Sequence, residues 1–278
     1  MLKNTFCHLP GISPHRERQL WAAGAHDWEI LLAGARGLVQ GWARNLPDRL
    51  PESLQQLAAE NPCYFSERLP SREHWRLYPE FRHTTAFLDI ETTGLTPGAD
   101  AITTIALYDG RQVRTFVQGE NLADFPAALA PYRLLVTYNG KSFDLPFIER
   151  SFGIRLTQAH IDLRYLLAGL GYRGGLKGCE RQLGIGREEL AGVDGYFAVL
   201  LWHEYRRTGN QAARATLLAY NVADTVNLAT LMALAYNLKL AETPFADSHR
   251  LPLPPPPPDL PHVSRDTVLG LRRRLLGF

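Results

Sequence analysis

The amino-acid sequence predicts an α/β fold, in which a mixed five-stranded sheet is flanked by helices and preceded by a small N-terminal helical region. The prediction comes from two changes of pattern along the chain. Residues 1–82 show helix caps and helical spacing of apolar residues, whereas residues 83–240 begin with strand-like segments and then alternate between helix and strand. Residues 241–278 are Pro-rich and form a third region, which we expect to be a flexible tail.

The N-terminal region opens with a turn, LPGISP at 9–14, that leads into a helix. Ser13 is placed as the N-cap and Pro14 as the first helical residue. Gly24 ends this helix, and a second helical face begins at Trp28. The pattern resembles a helix-hairpin-helix element, in which amides at a helix N-terminus bind a nucleic-acid phosphate. A plain helical hairpin packed on the main domain explains the same residues, so both interpretations stay open.

The central region begins with three strand-like segments joined by short connections. The Asp109-Gly110 pair between the second and third is a hairpin signal, so we expect these strands to be antiparallel. A fourth strand follows a short helix and is expected to lie parallel to the first. This order of three antiparallel strands, then alternating helices and strands, is typical of the ribonuclease-H-like fold. The predicted strands are 86–91, 101–108, 112–117, 134–138 and a short one near Ile161, and the predicted helices are 125–132, 145–152, 176–183, 196–208 and 211–238.

The tail contains a proline run at 254–258, which favours extended polyproline II structure without a core of its own. Its last part, 267–278, alternates apolar residues with three arginines at 272–274, as a basic amphipathic helix does. Such a helix is a candidate for docking a protein partner or nucleic acid. A frayed chain end explains it equally well.

Composition limits the function classes. The chain has 278 residues, a formal net charge of +2 and three cysteines. No apolar run reaches the roughly 20 residues of a membrane span, and a signal-peptide pattern is missing, so we expect a cytoplasmic protein without a membrane partner. An odd number of cysteines without a Cys-x-x-Cys pair argues against a disulfide framework or a zinc site. The small positive charge permits nucleic-acid binding without requiring it.

The first predicted strand ends in two carboxylates, Asp89 and Glu91, within the stretch AFLDIETTG at 86–94. Because strand side chains alternate between faces, both project from the same side, and two adjacent negative charges need a cation. Carboxylate oxygens are the ligands that Mg²⁺ and Mn²⁺ prefer. An Asp-x-Glu pair also occurs at solvated strand ends, so further residues are needed to distinguish a metal site from a solvated strand end.

Two further segments carry acidic residues in suggestive places. Asp144 follows the fourth strand where a helix begins, although a structural N-cap would also be an Asp. Tyr220 and Asp224 lie four positions apart on the long helix and therefore share a face. Apolar neighbours indicate that this helix is buried, and a buried Asp without a positive partner or metal is costly.

Together these segments resemble a known family. Asp89-x-Glu91, Asp144 in a Tyr-Asn-x-x-x-Phe-Asp-x-Pro setting, and Tyr220-x-x-x-Asp224 look like the three motifs of the DEDDy group of 3′ to 5′ exonucleases. The second and third are similar to those of family-B DNA polymerase proofreading domains. The whole region 77–240 resembles the bacterial YprB-type ribonuclease-H-like proteins. The related DEDDh group has His five positions before the last Asp, where this chain has Ala219.

The resemblance implies a metal-dependent 3′ to 5′ exonuclease that acts on single-stranded DNA or RNA with two divalent ions, Mg²⁺ or Mn²⁺. It implies that Asp89 bridges both ions, that Glu91 and Asp224 complete the first site, and that Asp144 holds the second ion. Tyr220 would orient the attacking water. Two other functions stay open: a non-catalytic nucleic-acid-binding protein of the same fold, and a structure-selective endonuclease that uses the same site.

Several other polar or aromatic residues near these motifs are candidates for contacts with the substrate, although turn and core roles explain them almost as well. His-x-Asp at the short strand near Ile161 is a candidate for an additional metal or phosphate contact, but a structural role is common for a lone His. The candidate substrate-binding residues are Thr92, Thr93, Asn139, Phe143 and Lys177, and the His-x-Asp pair is His160 and Asp162.

Overall fold

A five-stranded mixed sheet of strand order β3-β2-β1-β4-β5 lies at the centre of the molecule. The computed structural model describes residues 1–33, 43, 45–186, 190, 193–255, 260, 261 and 263–277. β1 pairs antiparallel with β2 and parallel with β4, β2 pairs antiparallel with β3, and β4 pairs parallel with β5. This topology confirms the ribonuclease-H-like prediction. The strands are β1 Thr85–Thr92, β2 Ile102–Tyr108, β3 Val113–Val117, β4 Leu134–Thr137 and β5 Ala159–Asp162.

The predicted hairpin joins β2 to β3. The Asp109 carboxylate accepts hydrogen bonds from the amides of Arg111 and Gln112, each at 2.9 Å, and thereby closes the turn. Gly110 has a φ of +88°, which a residue without Cβ adopts readily. The Asp-Gly signal therefore corresponds to the geometry that the turn needs.

Helices cover the sheet and confirm the central pattern, with one exception. The short helix α8 was not among the predicted elements, because seven residues between Asp162 and a glycine-rich loop give too little periodicity to detect. Asp162 caps it by accepting a hydrogen bond from the Arg164 amide. The helices of this region are α6 Phe125–Leu129, α7 Asp144–Phe152, α8 Leu163–Gly169, α9 Gly175–Gln182, α10 Gly195–Thr208 and α11 Gln211–Leu240.

The helix α11 is the longest element, with 30 residues. By length and composition it is apolar enough to cross a membrane, but 72% of its most apolar window is buried inside the protein. It packs against β1, β2 and α10. Its apolar character is therefore satisfied by the core of this chain.

The N-terminal region consists of short helices that share the main hydrophobic core. As predicted, Ser13 caps the first helix by accepting a hydrogen bond from the Arg16 amide. Trp28 Nε1 donates to the Thr5 carbonyl at 2.7 Å, and the ring of Trp75 lies edge-on to Tyr236 of α11 at 5.5 Å. These contacts agree with a helical hairpin packed on the main domain, while phosphate binding stays a prediction. The helices are α1 Pro14–Ala22, α2 Trp28–Leu32, α3 Leu50–Ala58, α4 Pro62–Ser66 and α5 Tyr78–Phe81.

A buried ion cluster ties α1 to the segment before α5. Arg76 lies 2.8 Å from Glu17 and 3.0 Å from Glu73, and the side chains of all three are at most 11% exposed. Glu17 also accepts hydrogen bonds from the Thr5 hydroxyl and the Phe6 amide. Each buried carboxylate of this cluster thus has a cation within the chain.

The described parts of the tail differ from the flexible segment that we expected. Phe245 is buried and packs edge-on against Trp21 at a centroid distance of 5.3 Å. The predicted basic helix forms α12, Arg265–Leu276, and its apolar side buries Val268 and Leu271 against α10 and α11. The tail docks because these apolar residues find partners in the core. Prolines 256–258 of the proline run lie outside the described residues.

Candidate metal-binding active site

The strand β1 places Asp89 and Glu91 on one face of the sheet. Asp89 pairs with Ala106 and Glu91 with Thr104 across the antiparallel ladder, and the register shifts directly after Glu91. Glu91 is 9% exposed, so its carboxylate is almost fully removed from water. The two acids therefore lie side by side at the end of a buried strand, as the alternation of strand side chains predicts.

The helix α11 adds the third carboxylate. Oxygen atoms of Asp89, Glu91 and Asp224 all lie within 4.8 Å of one another, which is close enough to share one metal ion. Asp224 follows Tyr220 by one helical turn, and both side chains are buried. Residues that are far apart in sequence are thus brought together by packing α11 on β1.

The first residue of α7 brings the fourth carboxylate to the same strand. Asp144 Oδ1 accepts a hydrogen bond from the amide of Ile90 at 3.2 Å, between the two acids of β1. The helix is preceded by Phe143 at the N-cap position, so Asp144 is not the cap that the structural interpretation required. Its carboxylate instead points across to β1.

Burial and the mutual repulsion of these acids shift their pKa values. Burial, with a further contribution from the Asp89 charge, raises the pKa of Glu91 well above its usual value, and the Lys177 ammonium opposes this shift. Burial and the Asp89 charge likewise raise the pKa of Asp144. A divalent cation among the four carboxylates would offset both effects, since buried charge is tolerated when it is paired or bound to a metal.

Asn221 is a site residue that the sequence did not single out. Its Nδ2 donates to Asp89 Oδ2 at 2.8 Å and to the Asp89 carbonyl at 3.1 Å, while its Oδ1 accepts from the Thr104 hydroxyl at 3.1 Å. The fully buried amide therefore fixes the orientation of the Asp89 carboxylate. The signal available in the sequence was a polar residue inside an apolar helix, directly after Tyr220.

Lys177 of α9 enters the site as well. Its ammonium pairs with Asp224 Oδ1 and lies 4.4 Å from the centroid of the Tyr220 ring. The Lys177 side chain is 35% exposed, whereas that of Asp224 is 6% exposed. Lys177 is therefore a positive partner of the kind that a buried Asp needs, and it lies beside Asp224 and Tyr220, which line the cleft described next.

The acids lie in a cleft of about 540 Å³. Asn139 and Phe143, which are candidates for substrate contacts from the sequence, line this cleft. Asn139 has a φ of +67° and accepts a hydrogen bond from the guanidinium of Arg164. Another part of the cleft wall comes from α8 and residues 172–175. The α8 part was not predicted, because α8 itself was missed. The wall residues are Arg164, Ala168, Tyr172, Arg173, Gly174 and Gly175.

The two threonines after Glu91 are occupied in closing the turn that follows β1. The Thr92 hydroxyl donates to the Gly94 carbonyl, and the Thr93 hydroxyl donates to the Asp100 carboxylate at 3.3 Å. Thr93 Oγ1 also accepts from the Ala101 amide at 3.0 Å. Neither threonine is among the residues that line the cleft, so their described contacts are those of turn residues.

His160 and Asp162 also make structural contacts. His160 Nε2 lies 2.9 Å from the Thr137 hydroxyl, and burial lowers the pKa of His160 to about 4. Asp162 accepts hydrogen bonds from the amides of Asn139 and Lys141 at 2.8 and 3.1 Å. The pair therefore shapes the loop between β4 and α7, which carries Asn139 into the cleft.

Comparison with known proteins gives a family and a similarity to a solved structure. Residues 86–236, more than half of the chain, match the family model described as the RNase_H superfamily. No curated protein matches the chain. The family B DNA polymerase from the hyperthermophilic archaeon Pyrobaculum calidifontis is similar at 17% identity and a TM-score of 0.42, over 56% of this chain and 24% of that polymerase. The chain thus spans about a quarter of the polymerase.

Proposed function

Because this chain belongs to the RNase H superfamily, we propose that it is a metal-dependent 3′ to 5′ exonuclease that hydrolyses phosphodiester bonds of single-stranded DNA or RNA. The observation that carries the proposal is the cluster of Asp89, Glu91 and Asp224, whose oxygens lie within 4.8 Å of one another in a cleft. Asp144 is held against the same strand by the Ile90 amide.

The donor set fits divalent cations that prefer oxygen. Four carboxylates surrounded by the buried core provide hard ligands for Mg²⁺ or Mn²⁺. Burial, and then the Asp89 charge, raises the pKa of Glu91 and of Asp144, and a bound cation would oppose both shifts. Asp89, Glu91 and Asp224 would hold one ion, and Asp144 would help to hold a second. Such ions supply a Lewis acid for the phosphate and a stronger nucleophile from water.

The side chains around the acids have separate tasks. The Tyr220 phenol, one helical turn before Asp224, would hydrogen-bond and orient the attacking water. Asn221 keeps the Asp89 carboxylate in place through its 2.8 Å hydrogen bond. The Lys177 ammonium, which lies beside Asp224, would contact a phosphate oxygen of the bound strand.

The wall of the cleft suits a nucleic-acid strand. The guanidinium groups of Arg164 and Arg173 are exposed at the cleft and match the geometry of phosphate oxygens. Tyr172 offers an aromatic ring on which an unpaired base can stack. Because stacking needs a base that is not held in a duplex, this wall favours a single-stranded 3′ end.

The test is a time course of hydrolysis with 5′-labelled DNA and RNA oligonucleotides in Mg²⁺, Mn²⁺ or EDTA. We expect a ladder of products that shorten stepwise from the 3′ end with metal, and intact substrate in EDTA. Internal cuts or cleavage of a circular single strand would instead indicate an endonuclease. Binding of the oligonucleotides without cleavage in either metal would indicate a non-catalytic nucleic-acid-binding protein.

A further inference from the structure

The docked C-terminal helix creates a basic surface that hydrolysis in the cleft does not use. The helices α10 and α12 lie next to each other, and each exposes two arginines near its C-terminal end. We call these residues the α10–α12 basic face. They are Arg206, Arg207, Arg273 and Arg274.

One buried carboxylate fixes this face. Glu204 Oε2 lies 2.9 Å from Arg207 Nη2 on its own helix, and Glu204 Oε1 lies 2.7 Å from Arg274 Nη2 on α12. The Glu204 side chain is 4% exposed, whereas those of Arg207 and Arg274 are 75% and 52% exposed. The arginines are therefore anchored at one edge and open to solvent at the other, which reduces the entropy that they lose on binding an anion.

Positive charge exceeds negative charge on this face. Arg206 lies over the Trp202 ring at 5.7 Å, and among the described residues neither Arg206 nor Arg273 has a carboxylate within ion-pair distance. Arg272 directly precedes Arg273 on α12, and its Nε is buried without a hydrogen-bond partner in the described part of the chain. Nearby acids are already engaged or distant: Glu204 is shared by two arginines, Glu120 pairs with Arg214, and Asp266 lies near the start of α12.

The helix α11 gives a scale for the separation between the α10–α12 basic face and the acidic site. Arg214, near the N-terminal end of α11, lies beside Tyr205 of α10, the neighbour of Arg206. Asp224 follows ten residues later on α11, which is about 15 Å along a helix. At about 3.4 Å per phosphate of a helical strand, this length corresponds to roughly four or five nucleotides.

We propose that the α10–α12 basic face binds the phosphate backbone of a nucleic acid several nucleotides away from the end held in the cleft. The inference rests on the proposed nuclease function, because it assumes a strand in the cleft. All four cations of the face are arginines, whose planar guanidinium groups bind phosphate in a bidentate manner, unlike lysine. The face therefore extends the substrate site and makes affinity depend on strand length.

The test compares the Arg206→Gln/Arg273→Gln variant with the wild-type chain. These two arginines are chosen because the pairs with buried Glu204 stay intact, so the fold is retained. The control is Arg72→Gln/Arg82→Gln, which removes two exposed arginines from the N-terminal region. Binding of fluorescent single strands of increasing length is measured by anisotropy in EDTA over a series of salt concentrations, with circular dichroism melts to check folding.

We expect the slope of log affinity against log salt to decrease by about 0.7 for each phosphate that the variant no longer neutralises, and the reduction in affinity to grow with strand length. The control should behave like wild type. An unchanged slope in a folded variant would overturn the inference and would leave an acidic protein as the partner of the face. The nuclease proposal fails separately, if the wild-type chain does not hydrolyse labelled strands with metal.

Discussion

Two clusters of buried carboxylates in this molecule differ in how their charge is balanced. In the N-terminal region, Glu17 and Glu73 share Arg76 at 2.8 and 3.0 Å, and backbone and hydroxyl groups supply further hydrogen bonds. In the cleft, four carboxylates converge, and among the described residues the Lys177 ammonium pairs with one of them, Asp224.

The comparison separates a structural cluster from a functional one. A buried charge is stable only if it is paired or coordinated. Where the chain supplies the partner itself, as around Arg76, the cluster stabilises the fold. Where four acids meet and the described residues show one paired cation, Lys177, as in the cleft, the cluster has the properties of a ligand site.

Neutralising one acid of the cleft should have the largest effect. We expect Asp89→Asn to lower hydrolysis by on the order of a thousandfold or more, since metal ions contribute several kcal/mol to the stabilisation of the transition state. In EDTA the melting temperature should not fall, because the substitution removes a repulsive charge. Exposed Asp124→Asn is the control and should keep full activity. Stepwise degradation by purified Asp89→Asn at the wild-type rate would refute the site assignment.

Breaking the paired cluster should act on stability instead. Arg76→Met leaves Glu17 and Glu73 buried without their cation, so we expect a loss of about 3 to 5 kcal/mol in the free energy of unfolding. Urea denaturation measures this loss. Arg72, which is 73% exposed and lies 3.8 Å from Glu73, gives a matched control, and its Met variant should change stability by less than about 0.5 kcal/mol. Equal losses in the two variants would contradict the role of Arg76.

Adding metal should stabilise the folded chain through the cleft alone. At about a hundredfold excess over its dissociation constant, Mg²⁺ should add about 2.7 kcal/mol. Thermal melts in Mg²⁺ and in EDTA measure the difference. We expect Asp224→Asn to lose the shift and Arg72→Met to keep it. A shift of the same size in Asp224→Asn would place the bound ion elsewhere.

Removing the amide that orients Asp89 should have a smaller effect. We expect Asn221→Leu to weaken metal binding or activity by about 10- to 100-fold, as loss of a group that orients a ligand does. Thr104→Val leaves Asn221 in place but removes its hydroxyl partner, so its effect should be smaller. Wild-type metal affinity in a folded Asn221→Leu chain would show that the 2.8 Å hydrogen bond to Asp89 is dispensable.

The pH dependence of stability in EDTA should give the weakest signal, spread over several pH units. Since the pKa of Glu91 is raised in the folded chain, the fold binds this proton more tightly than the unfolded chain does. The resulting stability is present at low pH and is lost as the pH rises from about 4.5 through the raised value. In urea denaturation we therefore expect Glu91→Gln to gain stability relative to wild type with rising pH. Parallel curves would show that Glu91 is not perturbed.

The sequence predicted most elements but fewer of their contacts. The alternation of strand side chains places Asp89 and Glu91 together, and helical spacing places Tyr220 above Asp224. The hydrogen bond from Asn221 to Asp89 could not be predicted, since it depends on how α11 is rotated against β1. The same is true of Lys177, whose partner Asp224 lies on a different helix.

The docking of the tail and the wall of the cleft were missed for related reasons. The apolar residues of 267–278, among them Val268 and Leu271, led to a correct helix prediction. A pattern of apolar residues does not predict which surface of the protein they pack against. The helix α8 is too short to produce a pattern, so Arg164 was not assigned to the cleft. Long-range packing, rather than local preference, decides each of these cases.

The helix α11 reaches both the cleft and the N-terminal region, because Asp224 contributes to the cleft near its middle and Tyr236 contacts Trp75 near its far end. Trimming the chain to the family-matched residues 86–236 would therefore strip the cover from the second half of this helix and leave Tyr236 facing water. The packing of α11, and with it the arrangement of the cleft, is therefore expected to depend on the N-terminal region. The smallest part of the chain that folds on its own is expected to be longer than the family-matched residues 86–236.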